Sequence, residues 1–216
     1  ISSLAKNHRV IVPDHIGCGL SDKPESYDYS LETHIENLER LLDTLRLSEI
    51  TLVMHDWGGP IGMGFAVRHP QRVKALVAMN TFAFTGLKMP LRLLPCRMPW
   101  LGQKLVRKLN LFNSGIRALS LERRMTPDVA AGYLLPYPTP ESRVAIFKFF
   151  DDIPFIPEDK SFESLLEMEH GLWLFREHPV CLVWGMSDWL FGRRCLERWM
   201  LYYPHASSLR IGGAGR

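Results

Sequence analysis

The segment His55-Asp56-Trp57-Gly58-Gly59 concentrates the chemical potential of this 216-residue chain. It follows the apolar run Ile50-Thr51-Leu52-Val53-Met54 and precedes helical spacing over residues 60–68, so Asp56 is expected on a tight turn from strand into helix. Such a turn lifts one side chain above the C-terminal edge of a sheet, and small neighbours let the backbones pass closely. Gly58 and Gly59 meet that need on one side; Met54 does not on the other. An aspartate is already an anion at neutral pH, so it needs desolvation and aim, not a base, to attack an electrophilic carbon and form an ester. The competing role for Asp56 is that of N-cap of the following helix.

The elements around this turn alternate. Val10-Ile11-Val12 is a short β-branched run stopped by Gly17-Cys18-Gly19-Leu20-Ser21-Asp22-Lys23-Pro24, which reads as strand then loop. Leu31, Ile35, Leu38, Leu41, Leu42 and Leu45 recur with the period of an amphipathic helix. A strand at 50–54, a helix at 60–68 and a strand at 73–79 complete a βαβαβ pattern. Its nearly continuous apolar strands suit a mostly parallel sheet with helices on both faces. The pattern resumes with a strand at 180–184, a helix at 195–203 and the start of a strand at 208–211. Between them lie Pro-, Arg- and aromatic-rich segments with helical spacing at 101–109 and 141–150, the expected form of an inserted helical cap. The chain thus divides into a core at 1–82 and 170–216, with the cap at 83–169.

Composition removes several functions. The 26 Lys and Arg are scattered among 23 Asp and Glu without a long basic run, which gives no case for nucleic-acid binding. No apolar run approaches the roughly 20 residues of a membrane span, and no signal-peptide pattern is present. A cytoplasmic protein is the expectation, although an opening at Ile1 without Met leaves room for a targeting segment ahead of it. Cys18, Cys96, Cys181 and Cys195 are far apart and read as structural thiols; no His-x-x-x-His pair suggests a metal, and no cofactor is expected. Gly17-Cys18-Gly19 follows a strand as a dinucleotide fingerprint would, but Asp22 takes the third glycine's place and Lys23-Pro24 blocks an immediate helix. The basic, aromatic stretch at 100–112 could suggest membrane contact; a cap helix facing an oily substrate is the simpler reading.

His55-Asp56-Trp57-Gly58-Gly59, together with Val12-Pro13-Asp14-His15-Ile16-Gly17-Cys18-Gly19-Leu20-Ser21-Asp22-Lys23-Pro24, resembles the haloalkane dehalogenase superfamily of α/β hydrolases. Within it, the long upstream string, Met79-Asn80-Thr81, and Leu105-Val106-Arg107 through Asn110 look most like the β-lactone decarboxylase of bacterial olefin biosynthesis. The resemblance implies an α/β-hydrolase fold with Asp56 as nucleophile. It makes the indole N–H of Trp57 the donor to the leaving halide or oxygen, its backbone N–H part of an oxyanion hole, and Asp188 the acid that orients a catalytic histidine. In some relatives that acid follows the preceding strand, near Asn80, which cannot ionise. Core packing for Trp57 and a loop or cap role for Asp188 are the plainer alternatives.

The resemblance also implies a histidine base shortly after the last strand, in an Ala-Gly-His context, where this chain reads Gly213-Ala214-Gly215-Arg216. It implies a His-Gly oxyanion loop and earlier strands ahead of residue 9. The N-terminal strands and the C-terminal end are therefore read as missing from a longer protein, and these 216 residues alone are expected to be inactive. The expected reaction is decarboxylation of a β-lactone to an alkene and carbon dioxide. Haloalkane dehalogenation and epoxide hydrolysis are the alternatives, and a non-catalytic, hydrolase-like binding domain is the alternative of another class. A small hydrophobic substrate and other olefin-biosynthesis enzymes are the expected partners.

Overall fold

A computed structural model describes residues 1–88, 90–110 and 125–215; the part of the expected cap at 111–124, and Met89, lie outside the described residues. Strands β1 Ile50–Asp56, β2 Val73–Thr81, β3 Val180–Gly185 and β4 Ser207–Ile211 form one parallel sheet in that order. Parallel neighbours need crossovers. Helix α1 Leu31–Thr44 precedes the sheet, α2 Gly58–Arg68 joins β1 to β2, and α8 Arg193–Tyr202 joins β3 to β4. Helix α1 begins where Ser30 Oγ accepts the Thr33 amide, and it buries Leu31, Ile35 and Leu42 from the expected stripe.

Register decides which strand side chains are covered. Met54 pairs with Ala78 and Ala78 with Leu182, so these residues form a row on one face. They join Leu76, Trp184, Ile61, Phe65, Leu196 and Trp199 in the main core, each large apolar side chain contributing roughly 1.5–3 kcal/mol on burial. Val53, Val77, Cys181 and Val183 point the other way and are exposed or half-buried. Among the described residues, helices cover one face of the sheet, where both were expected.

Residues 9–13, expected as a strand, are irregular. A strand exists only as a member of a ladder, and β1 pairs with β2 alone. The following loop turns tightly: Gly17 has φ +88° and its amide donates to Asp22 O at 2.7 Å. A Cβ there would lie 2.2 Å from Ala145 Cβ, so this glycine serves close packing under the cap.

The cap holds α3 Leu94–Arg97, α4 Pro99–Gly102 continuing as a π-turn Gln103–Lys108, α5 Pro127–Leu134 and α6 Val144–Asp151. Arg143 fastens it by donating to the carbonyls of Arg107, Pro138 and Tyr137 at 2.7, 2.9 and 3.0 Å. Helix α7 Phe162–Gly171 spans the expected boundary at 169 but packs with the core: Leu165, Met168 and the following Leu172 belong to the main cluster. A Cβ on Gly171 would lie 2.2 Å from Val67 of α2.

Candidate active site

Strand β1 ends at Asp56 with φ +53°. A non-glycine residue held there costs on the order of 1–3 kcal/mol, which the surrounding packing must sustain. Helix α2 starts at once, and its N-cap is Trp57, not Asp56. Close approach explains the second glycine of the motif: a Cβ on Gly59 would lie 1.9 Å from Thr81 Oγ1 and 2.5 Å from Phe82 O. Thr81 Oγ1 also donates to the Asp56 carbonyl, tying the turn to β2. A Cβ on Gly58 would meet nothing within 4 Å, so that glycine is not required for space. The bulk of Met54 is taken up across the turn, where a Cβ on Gly62 would lie 2.7 Å from Met54 Sδ.

Asp56 and Trp57 line a cavity of about 810 Å³ between the sheet's C-terminal edge and the cap. Its walls are largely apolar, with Phe82, Phe84 and Phe191 from the core and Ile146, Phe149 and Phe150 from the cap. The Trp57 ring meets Phe82 edge-on at 6.0 Å and lies 5.1 Å from Phe149. Its indole N–H makes no hydrogen bond among the described residues, so it is a donor available to a ligand. His55, His15 and Cys18 line the same cavity. Burial pulls the His15 imidazole below its ordinary pKa against the opposing charge of Asp14, favouring the neutral ring. Burial likewise pushes the Cys18 thiol up.

Asp188 lies beyond the end of β3, at the same sheet edge as Asp56, and is 5% exposed. Its Oδ1 accepts the amides of Leu190 at 2.7 Å and Phe191 at 3.0 Å, while Oδ2 is buried with no partner among the described residues. Asp188 does not line the cavity; Trp189, Leu190 and Phe191 do, and the carboxylate sits behind them. Asn80, with φ +31°, closes the gap between strands: its amide donates to Gly185 O at 3.0 Å and its carbonyl accepts Gly185 N at 2.7 Å.

Sequence reasoning missed the contributions of α8 and α6. Arg194 and Arg198, four apart on α8, line the cavity, and Arg198 pairs with Glu169 and donates to Thr85 O. Their spacing was a visible signal. Phe149 was not predictable, because α6 crosses the turn only in three dimensions. The described part of the basic, aromatic stretch, residues 100–110, does not line the cavity as expected: Trp100 is 74% exposed, and the lining draws on Leu93 instead, while Leu111 and Phe112 lie outside the described residues. Among the described residues no helix is long and apolar enough to cross a membrane, and no group of three His, Cys, Asp or Glu could hold a metal.

A side chain carried on a positive-φ turn between a parallel strand and its helix, beneath a helical insertion, is how α/β hydrolases present their reactive group. The chain belongs to the α/β-hydrolase fold family, a hydrolase-like enzyme family whose model matches residues 1–216. It is 42% identical to a cis-3-alkyl-4-alkyloxetan-2-one decarboxylase of Shewanella oneidensis, over all of this chain and 70% of that protein. It is 37% identical to the protein of the same description from Xanthomonas campestris pv. campestris, over 99% of this chain and 75% of the other. The crystal structure of haloalkane dehalogenase DatA from Agrobacterium tumefaciens is similar with TM-score 0.81 at 25% identity, covering 94% of this chain and 71% of that one.

Proposed function

We propose that the protein opens a β-lactone bearing long alkyl chains and releases an alkene and carbon dioxide, with Asp56 as nucleophile. The observation that carries the reading is the placement of Asp56, on a left-handed strand end lining an apolar cavity. At about 810 Å³ the cavity is in the upper part of the roughly 300–1,000 Å³ usual for small-molecule sites. The two decarboxylases similar to this chain support the choice of electrophile.

In this scheme the Asp56 carboxylate attacks C4, the saturated ring carbon bonded to the ring oxygen, and the C4–O bond breaks. The oxygen leaves as part of a carboxylate on the adjacent carbon, with the Trp57 indole N–H as donor to the developing charge. Loss of carbon dioxide leaves an electron pair on the adjacent carbon. That pair forms the double bond and expels Asp56 as a carboxylate, so the cycle consumes no water.

Hydrolytic dehalogenation is the second reading, favoured by the same free indole donor, which suits a departing halide. Here the ester on Asp56 must be released by water, and a histidine held by Asp188 would activate it. By the resemblance, that histidine follows β4. The same resemblance supports work beside other olefin-biosynthesis enzymes, and a cytoplasmic setting is the reading that composition favours. The order of elements supports a core at 1–82 and 170–216 with a cap at 83–169, and the packing of Leu165 and Met168 moves α7 from that cap to the core.

The test incubates the protein and its Asp56→Asn variant with a 3,4-dialkyl β-lactone and with a 1-haloalkane, and measures alkene and halide. Alkene release that depends on Asp56 is the expected result. Halide without alkene would select the dehalogenase, and neither product from folded protein would leave a binding domain.

A further inference from the structure

The cap helix that begins at Pro99 has two opposite faces. Its α4 turn runs unbroken into the π-turn at 103–108, with Gly102 and Gln103 both in the right-handed helical region. Gly102 and Val106, four apart, are buried: a Cβ on Gly102 would lie 2.9 Å from Phe147, and Val106 packs with Ile146 and Phe150. Trp100, Lys104 and Lys108 are also four apart but two residues out of step, which puts them on the far side. All three are exposed, as are Leu91 at 85%, Leu94 at 48% and Met98 at 51% just ahead of them.

Charge follows the same surface. From Ala83 to Asn110 the chain holds six Lys and Arg and no Asp or Glu, whereas its whole formal charge is only +3. Arg97 and Arg107 are paired with Asp159 and Glu25. Lys88, Lys104 and Lys108 are exposed and make no ion pair among the described residues. The segment from 88 to 94 joins this surface to the cavity: Lys88, Pro90 and Leu93 line the cavity, while Leu91 and Leu94 are exposed. Lys88 both lines the cavity and is exposed, so the cavity reaches solvent at the start of this segment.

We propose that this cap face docks on an anionic lipid surface, with Trp100 and the leucines at the headgroup boundary, the lysines on phosphates, and the cavity mouth turned toward the lipid. Exposed Trp and Leu beside unpaired Lys supply the two contacts an anionic lipid surface accepts, ring burial at the headgroup level and charge pairing with phosphate. The core of a protein–protein interface is instead depleted in Lys. The inference stands whichever electrophile Asp56 attacks.

The experiment is flotation of the purified protein with vesicles of phosphatidylcholine and with vesicles containing phosphatidylglycerol, at low and high salt. The protein floats with the anionic vesicles, and salt releases it. Lys104→Gln with Lys108→Gln weakens binding about 30-fold at low salt, two charges at about 1 kcal/mol each, and Trp100→Ser weakens it at low salt as well. Trp173→Ser, at a second exposed tryptophan (51%), leaves binding unchanged. Thermal unfolding confirms that each variant is folded. Failure of the wild-type protein to float, equal binding to neutral vesicles, or double-lysine and Trp100 variants that bind as wild type would each overturn the proposal. So would self-association abolished by Trp100→Ser without vesicle binding, which would make the face an interface between copies.

Discussion

Gly59 lies so close to Thr81 that a Cβ on it would sit 1.9 Å from the threonine hydroxyl oxygen, while its neighbour Gly58 faces open space. The two glycines of one motif therefore have different physical reasons to be there. Gly59→Ala should cost about 1–3 kcal/mol through overpacking against β2. Gly58→Ala should be neutral or stabilise by up to about 1 kcal/mol, through helix propensity and a less disordered unfolded chain. Urea unfolding of the two variants checks this, and equal midpoints would contradict the geometry.

Asp56→Asn should lower alkene formation by roughly 10⁴-fold or more, the scale on which loss of a nucleophile acts. Trp57→Phe keeps the ring contacts with Phe82 and Phe149 but removes the donor, and should cost about 10²- to 10³-fold in kcat with little change in KM. If Trp57→Phe raised only KM, the indole would be a wall and not a donor.

Asp188→Asn should separate the two reactions. The asparagine carbonyl can accept the Leu190 and Phe191 amides as Oδ1 now does, so the fold survives. A route that releases its ester with base-activated water should slow by about 10²- to 10⁴-fold and accumulate ester on Asp56, visible as a mass increase. The lactone route, which expels Asp56 without water, should be much less affected. Equal losses on both substrates would remove that distinction.

Two buried groups set opposing pH dependences. Burial is the main cause that pushes Asp152 from 3.8 to about 6, against bonds from Ser161 and Leu31. With a raised folded pKa, its contribution is greatest below 3.8 and falls as pH rises to about 6. Burial pulls His34 from 6.5 to about 4, so its contribution is full above 6.5 and falls as pH drops toward 4. The two nearly cancel between pH 4 and 6. Asp152→Asn should add up to about 3 kcal/mol at pH 8, at about 1.4 kcal/mol per pKa unit, and should expose the acid lability due to His34. Unfolding curves at pH 4–8 that coincide for wild type and variant would refute this.

The turn at Asp56 was legible because it is local: an apolar run, one aspartate and two glycines fix strand, turn and helix within about ten residues. The parallel alternation was legible for the same reason, since periodicity belongs to each segment alone. Met54 looked too large for such a turn only because its compensation, Gly62, is a contact between β1 and α2. Residues 9–13 have strand-like side chains but join no ladder, and pairing is never a property of one segment. Spacing of four gave the cap helix two faces without saying which is inward; packing of Val106 against α6 decided that, and turned Trp100 to solvent. Asp188 follows β3 as the spacing predicts, yet its separation from the cavity by its own three successors depends on how the loop folds back to give two amides to its carboxylate. Sequence determined which elements form and which side chain the turn presents, because those follow from short-range backbone and periodic constraints. Tertiary structure alone decided what each side chain faces, because burial is set by neighbours distant in the chain.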